Sequence, residues 1–284
     1  MRHHRHVRPA VSATLAVVLL SSISCPGALA QTILIVPPGE PTGPEAKAFR
    51  TFAGPFVTAH GNGRFTASSG KDFRLSDADV LWIHEGDRQT APAQFTDHGT
   101  IQAIRGFVTN GGALFLTGTT IPIVRQLGVE PCHPRTGPAG NDRGNASIQP
   151  VVKDHPIFRG YPERSIQLAD SGHPAYSDFH GTGGPGGGML LARSGGGENP
   201  LVEYALGTGR IIVMGWRLPH FSNTKNAYYK ELLVFTDGIL AYLRNKNAWV
   251  KVVAREAKQT ARTTDQRTDS GATDAHLASL RLAI

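Results

Sequence analysis

Three short, unbroken runs of apolar and β-branched residues restrict the fold more than any other feature of this chain. They are Thr32–Val36, residues 80–83 within the predicted strand 79–84, and residues 113–117. Such runs are typical of strands that are covered on both faces of a sheet. Segments with helical periodicity separate them, and a strand–helix–strand order implies parallel pairing through right-handed crossovers. The sequence therefore predicts an α/β domain built on a mostly parallel central sheet.

Four segments have the periodicity of helices. Residues 45–60 place Phe49, Phe52 and Phe56 on one side, although Gly54 and Pro55 should break or kink this helix. The other predicted helices are residues 95–110, closed by two glycines in the C-cap role, residues 121–127 and residues 228–243.

The second half of the sequence is rich in glycine. Residues 201–205 and 210–215 are joined by Leu206-Gly207-Thr208-Gly209, a spacing that favours a β-hairpin. Three glycine-rich stretches are predicted as loops, either mobile lids or plain surface excursions: residues 132–145, 170–188 and 194–199.

The two ends of the chain differ in composition from the middle. Residues 1–30 have the pattern of an export signal: three arginines, an apolar run over residues 10–23, and the small-residue site Ala28-Leu29-Ala30. The run is shorter than the roughly 20 residues that span a bilayer, so no membrane span is expected after signal removal. Residues 31–245 are predicted to form one large domain, and residues 246–284 a basic, mostly disordered tail. The expected location is periplasmic or secreted.

The net charge of +7 does not indicate a nucleic-acid-binding protein, because most of it lies outside the predicted domain. The signal and the tail hold ten of the 29 Lys and Arg but only four of the 22 Asp and Glu, which leaves a net charge of +1 in the domain. The basic patches with interleaved aromatic residues that such surfaces carry are absent.

Cysteine is rare, with Cys25 in the signal and Cys132 in a predicted loop. Lipid attachment at Cys25 is an alternative to signal cleavage, but the residues before it are a poor lipoprotein context. Signal cleavage leaves Cys132 alone, so no intrachain disulfide is expected. We interpret Cys132 as an incidental exposed thiol.

Four segments of the sequence carry motifs of a known group. They are residues 78–85, residues 108–114 (VTNGGAL), residues 154–160 (DHPIFRG) and residues 207–216 (GTGRIIVMGW). Together they resemble the class I glutamine amidotransferase-like superfamily, and within it the trehalose-utilisation (ThuA-like) proteins and exported bacterial relatives. The resemblance covers residues 32–245 in order. It implies a flavodoxin-like, three-layer domain with a β-hairpin excursion and a ligand cleft at the carboxyl ends of the strands.

The chain departs from this group at two positions that amidotransferase activity requires. The nucleophilic cysteine of the group stands in the turn after the strand that corresponds to residues 113–117, and here Thr119 lies at or next to that position. The histidine that should follow a late strand falls near Trp216 and Arg217, where no His-Pro-Glu occurs. The resemblance therefore implies the fold without glutaminase activity.

Polar residues follow two of the predicted strands. His84, Glu85 and Asp87 come after one, and Arg217 and His220 come after another. If both strands are central, these side chains face one cleft and offer a base, a carboxylate and a cation to an anionic or hydroxyl-rich ligand. The alternative is that they only cap strand ends and bind loop backbone.

From this placement we predict two sets of site residues. The candidate catalytic residues are His84, Glu85 and His220. The candidate ligand-binding residues are Gly118, Thr119, Trp216 and Arg217, with the backbone amides of residues 118–120 as an anion or oxyanion site.

The remaining polar clusters carry weaker signals. His84, Glu85, Asp87 and His220 have the ligand types of a zinc or iron site, but no compact two-histidine spacing supports one, so no metal site is predicted. A loop segment is interpreted as a lid over a sugar or as a solvated surface loop; its residues are His173, Tyr176, Asp178 and His180. His155, beside Pro156, is expected to fix a turn.

Taken together, the sequence predicts an exported domain without glutaminase activity that binds a small polar, carbohydrate-derived ligand and needs no cofactor. One alternative is an enzyme on sugars that uses His84 or His220 for acid–base chemistry, with Glu85 as partner. Another is an interaction domain whose basic tail contacts an acidic cell-envelope polymer. A cleft that brings the two histidines and Glu85 to one point favours the enzyme, whereas a cleft filled by Trp82, Trp216 or Phe221 favours binding or structure.

Overall fold

A computed structural model describes residues 31–39, 43–161 and 165–249, so the predicted signal and nearly all of the predicted tail lie outside it. The strands are β1 (Thr32–Val36), β2 (Phe56–Gly61), β3 (Arg64–Ala67), β4 (Val80–Glu85), β5 (Ala113–Gly118), β6 (Arg135–Gly137), β7 (Ala146–Pro150), β8 (Ile166–Ala169), β9 (Tyr176–Asp178), β10 (Met189–Ser194), β11 (Leu201–Leu206) and β12 (Gly209–Met214). The helices are α1 (Gly43–Phe52), α2 (Ala93–Thr96), α3 (His98–Thr109), α4 (Ile123–Gln126) and α5 (Tyr229–Arg244). None of the described helices is long and apolar enough to cross a membrane.

Ten strands form one mixed sheet in the order β3-β2-β1-β4-β5-β12-β11-β10-β7-β8. The five strands from β2 to β12 pair in parallel, as the strand–helix–strand pattern predicts. The other pairings are antiparallel. A mostly parallel sheet is therefore found only in the centre. The short connections β2–β3, β10–β11 and β11–β12 form antiparallel hairpins, and β7 and β8 extend the antiparallel half.

Side chains alternate between the two faces of the central strands and build two apolar cores. Trp82 and Phe115 pack on one face with residues of α1 and α5, such as Phe49 and Phe235. Leu81 and its neighbours pack on the other face against α3. The sheet is thus the middle layer between two helical layers, an arrangement consistent with a flavodoxin-like fold.

Two of the predicted helices differ from the structure. The first ends at Phe52, and Phe56–Gly61 is the strand β2, because Gly54 and Pro55 stop the helix rather than kink it. The second is divided into α2 and α3 at Asp97, whose carboxylate accepts a hydrogen bond from the Thr100 amide at 3.1 Å as the N-cap of α3. The predicted final helix is α5, and the predicted hairpin is the antiparallel pair β11–β12.

Two of the predicted loops, residues 132–145 and 170–188, each contain a short strand, and these strands pair with each other. β6 and β9 form a separate two-stranded sheet, in which the Arg135 guanidinium donates to the Asp178 carboxylate at 2.6 and 2.9 Å. The small sheet is fixed to the carboxyl edge of the main sheet, since the Ala175 amide donates to Gly86 O and the Trp216 amide to Ser177 O. It therefore covers the end of β5, where the predicted site lies.

The packed region continues past the predicted boundary at residue 245. Trp249 is buried, its indole N–H donates to Tyr242 O at 3.1 Å, and the Arg210 guanidinium lies 6.0 Å from its ring centroid. Residues 246–249 thus belong to the fold rather than to the tail.

Candidate functional site

A cleft of about 300 Å³ opens at the carboxyl ends of β1 and β4. Its walls are residues 34–39 after and along β1, residues 84–88 at the end of β4, and Glu45 and Phe49 from α1. We call it the Glu45 cleft. It lies at the edge of the sheet where open α/β folds bind their ligands, as the sequence predicted.

A chain of hydrogen bonds runs from the core to this cleft. The Trp82 indole N–H donates to Thr117 Oγ1 at 2.9 Å, and Thr117 Oγ1 lies 2.7 Å from His84 Nδ1. His84 Nε2 lies 2.8 Å from Glu45 Oε1. Thr117 Oγ1 accepts from Trp82, and the ionised Glu45 carboxylate can only accept, so His84 Nε2 is the donor in its bond to Glu45.

Glu45 and His84 both line the cleft, and Glu45 is the more exposed of the two. The His84 side chain is 3% exposed, whereas that of Glu45 is 15% exposed. Burial raises the pKa of the Glu45 carboxyl, but attraction to His84, their hydrogen bond and the nearby His220 outweigh it, so the pKa is lowered overall. Glu45 is therefore ionised at neutral pH and presents an acceptor to the cleft.

His220 lines a second cleft of about 570 Å³, next to the first, which we call the His220 cleft. Its other polar lining residues are Asn141, Asp142, Arg143, Ser171, His173 and Asn223. Burial lowers the pKa of His220, as do the positive charges of His173 and Arg217, while Asp170 and Glu45 oppose them. The net pKa is lowered, so the imidazole is neutral at neutral pH. Since the charge of Glu45 acts on His220 as well as on His84, the two clefts are neighbours.

Glu85 does not pair with His84, so the predicted partnership is wrong. Glu85 Oε1 accepts from the amides of Asp87 and Arg88 at 2.9 and 3.0 Å, and its other oxygen faces the Arg88 guanidinium at 3.3 Å. Consecutive residues of a strand point to opposite faces of the sheet, so His84 and Glu85 cannot share one. The carboxylate that meets His84 is Glu45, which sequence reasoning missed as a site residue although it stands in the first turn of the helix after β1.

The elbow after β5 is closed by its own hydrogen bonds. Gly118 has φ +69°, and a Cβ there would lie 2.0 Å from Glu85 O. Thr119 is fully buried; its amide donates to Glu85 O and its hydroxyl to Arg88 O, both at 2.9 Å. The expected anion site on the amides of residues 118–120 is therefore not formed at Thr119, and its hydroxyl is not placed to attack a ligand.

Trp216 and Arg217 lie away from the Glu45 cleft. Trp216 is half-buried with φ 55°, and the Arg217 guanidinium is 5.8 Å from its ring centroid. Arg217 is buried, and its Nη2 donates to Gly144 O at 2.7 Å and Asp170 O at 3.1 Å. The predicted single cleft of Glu85, Gly118, Thr119 and Arg217 is thus not observed, and of these four only Glu85 lines the Glu45 cleft.

The aromatic residues that could have filled the cleft belong to the core behind it. Trp82 and Phe221 are fully buried, with ring centroids 5.5 Å apart, and Phe221 packs at 5.6 Å from the His84 ring. Apolar packing therefore fixes His84 from behind, while the polar mouth of the cleft is left open.

The other predicted polar residues have structural partners. His155 caps a 3₁₀ turn, accepting from the Ile157 amide at 3.4 Å, which confirms the predicted turn. His173 contacts Asp142, and Asp178 pairs with Arg135, so the predicted lid is tied to neighbouring loops. Burial and the charge of Glu130 raise the pKa of the Cys132 thiol, which disfavours the reactive thiolate. Among the described residues, no group of three or more His, Cys, Asp or Glu could hold a metal ion.

Comparison with known proteins identifies the fold. No protein-family model matches the chain. A search of curated proteins gave no match either. Among solved structures, PurLQS from Thermotoga maritima aligns at 14% identity over 75% of this chain and 99% of that one, with a TM-score of 0.52.

Two further structures match less closely in shape. A putative ThuA-like protein from Parabacteroides merdae aligns at 13% identity over 76% of this chain and 90% of that one, with a TM-score of 0.47. A glutamine amidotransferase from Thermotoga maritima aligns at 12% identity over 76% and 98%, also with a TM-score of 0.47. The chain has a class I glutamine amidotransferase-like fold, as the sequence resemblance implied. Identity at this level speaks to the fold alone.

Proposed function

We propose that this protein binds a small, hydroxyl-rich, carbohydrate-derived ligand in the Glu45 cleft and that it has no glutaminase activity. The observation that carries the proposal is the hydrogen-bonded chain Trp82–Thr117–His84–Glu45, which ends in an ionised carboxylate at the cleft. An ionised carboxylate only accepts hydrogen bonds, so the complementary ligand groups are donors such as hydroxyls. The volume of about 300 Å³ is at the lower end for small-molecule sites and suits a single sugar ring.

Loss of glutaminase activity is supported by the elbow. Thr119 lies at or next to the position of the nucleophilic cysteine, and its amide and hydroxyl are both bonded within the fold. Cys132 lies in another loop, with a thiol whose pKa is raised. The chain therefore has no thiolate at the position where the amidotransferase reaction begins.

An enzyme that acts on sugars is the second candidate, and one observation favours it. His220 is neutral at neutral pH, and its buried Nδ1 has no partner among the residues that the structure describes, as a general base requires. Glu45 rather than Glu85 would then stabilise the protonated imidazole. Turnover of a sugar by the wild type, with a pH dependence that His220→Gln abolishes, would establish this candidate over simple binding.

The binding proposal is tested by thermal shift of the mature protein against a panel of neutral sugars. At a ligand concentration of 100 times Kd, the stabilisation is about 2.7 kcal/mol. That raises the Tm by about 5–10 °C for a domain of this size. Glu45→Gln should lose the shift, while the exposed matched control Glu231→Gln should keep it. A shift that survives in Glu45→Gln would place the site elsewhere.

Export is a separate proposal that rests on residues 1–30, whose charged start, apolar run and small-residue site are those of a signal. Amino-terminal sequencing of the protein from the cell envelope or medium should begin near Gln31. A chain that begins at Met1 and stays in the cytoplasm would refute it.

A further inference from the structure

Two buried polar atoms beside the carboxyl end of β12 have no hydrogen-bond partner among the described residues. They are Arg217 Nε and His220 Nδ1. Buried polar atoms nearly always have a partner, so two such atoms close together need an explanation, such as a bound water, ion or ligand. Both atoms are only three positions apart in sequence, and the charge of Arg217 acts on His220. The two unmet bonds therefore belong to one place in the fold.

Arg217 is also a buried cation without a counter-charge. It is 8% exposed, its Nη2 contacts two main-chain carbonyls, and no carboxylate of the described chain forms an ion pair with it. Other arginines in the fold do pair with carboxylates, for example Arg210 with Glu203 and Arg135 with Asp178. Burying a charge without a partner is costly, so an anion is the complement that Arg217 lacks.

Arg217 lies beside the wall of the His220 cleft rather than among the residues that line it. Gly144 and Asp170, which accept from Arg217, adjoin the lining residues Arg143 and Ser171. The Asp170 carboxylate forms no ion pair with Arg217; its oxygens accept from the amides of Ser171 at 2.6 Å and Ala227 at 3.0 Å.

His173 lies in the wall of the same cleft, and both of its ring nitrogens face oxygen atoms. Its Nδ1 lies 2.9 Å from Pro174 O and its Nε2 lies 3.3 Å from Asp142 Oδ2. Both partners are hydrogen-bond acceptors.

We propose that the His220 cleft binds a carboxylate, with Arg217 Nε and His220 Nδ1 as its hydrogen-bond donors. This inference rests on the proposed function and specifies its ligand: a molecule whose hydroxyls reach Glu45 and whose carboxylate reaches Arg217 is a sugar acid, of the aldonic or uronic class. An arginine donor and a carboxylate form a strong, directional, charge-assisted bond, which a neutral sugar cannot replace.

The test compares D-gluconate with D-glucose by isothermal titration, using the mature protein at constant ionic strength. Wild type should bind D-gluconate at least tenfold more tightly than D-glucose. His220→Gln and Arg217→Lys should each remove that preference while leaving the affinity for D-glucose unchanged. The exposed matched control Arg193→Lys should behave as wild type. Arg217 also binds the carbonyls of two loops, so Arg217→Lys has a structural cost of its own. If that variant does not fold, His220→Gln decides, because His220 Nδ1 has no partner to lose among the described residues.

Equal affinity for the two compounds in wild type would overturn this inference and leave the Glu45 cleft standing. A preference for D-gluconate that survives His220→Gln, and Arg217→Lys where it folds, would also overturn it. Absence of binding by either compound would refute the inference together with the proposed function.

Discussion

Replacing Thr117 by valine should both destabilise the fold and weaken ligand binding. Thr117 is fully buried, and its hydroxyl is the acceptor for Trp82 Nε1 and the partner of His84 Nδ1. Valine has nearly the same shape but no hydroxyl, so two buried polar atoms lose their partner at once. Each such atom costs about 1–3 kcal/mol.

The expected loss of unfolding free energy is therefore about 2–4 kcal/mol, since the two penalties share one site and do not add fully. For a domain of this size, that corresponds to a fall in Tm of about 5–15 °C. Urea unfolding followed by tryptophan fluorescence measures the change directly. The variant should also bind ligand less tightly, because His84 is no longer oriented to hold Glu45.

Thr236→Val is the matched control. Thr236 is also fully buried, but its hydroxyl donates within α5 to Leu232 O at 2.7 Å, and that carbonyl can keep its helical hydrogen bond without it. We expect a cost below about 1 kcal/mol. If Thr117→Val is no more destabilising than Thr236→Val and binds ligand normally, the hydrogen-bonded chain does not organise the site.

Three further predictions concern the elbow, the effect of acid and the lost reaction. Gly118→Ala should lower the free energy of unfolding by more than about 3 kcal/mol, because a Cβ there meets Glu85 O at 2.0 Å in addition to the strain of φ +69°. The control Gly70→Ala, with φ +78° and open space around it, should lower it by about 1–2 kcal/mol. Urea unfolding compares the two variants, and equal losses would contradict the role of the contact with Glu85. Folding lowers the pKa values of His220 and Glu45, so the unfolded chain takes up protons first as the pH falls. The free energy of unfolding should therefore decline below about pH 6.5 through His220 and below about pH 4.5 through Glu45. In melting curves recorded over a pH series, His220→Gln should reduce the first decline and Glu45→Gln the second. A pH series unchanged by both substitutions would refute that assignment. Pure protein should release no ammonia from glutamine in a coupled assay, and release that disappears on mutating a single residue would show that another group replaces the missing cysteine.

The centre of the fold could be predicted from the sequence because its signal is local. Unbroken apolar runs separated by helical periodicity specify buried parallel strands, and β1, β4 and β5 lie where these runs are. The antiparallel half was harder to predict, since short strands such as β7 and β8 have no long apolar run. The extent of α1 was misjudged because Phe56 fits both the helical period and the strand that follows Pro55.

The site was only partly predictable, because its central contact joins residues far apart in sequence. His84 meets Glu45 across 39 positions, through the pairing of β1 with β4 and the return of α1 over the sheet. Proximity in sequence favoured Glu85, but strand geometry turns that side chain to the other face. Arg217 was recognised as a ligand-binding candidate, yet its lack of a counter-charge becomes visible only when its neighbours in space are known.

A crystal structure of the mature protein soaked with its best-binding sugar tests the central claim most directly. The account predicts the ligand in the Glu45 cleft, with a hydroxyl oxygen within about 3.0 Å of the Glu45 carboxylate, and with His84 still bonded to Thr117 and Glu45. A ligand bound at another surface, with the Glu45 cleft filled only by water, would contradict it.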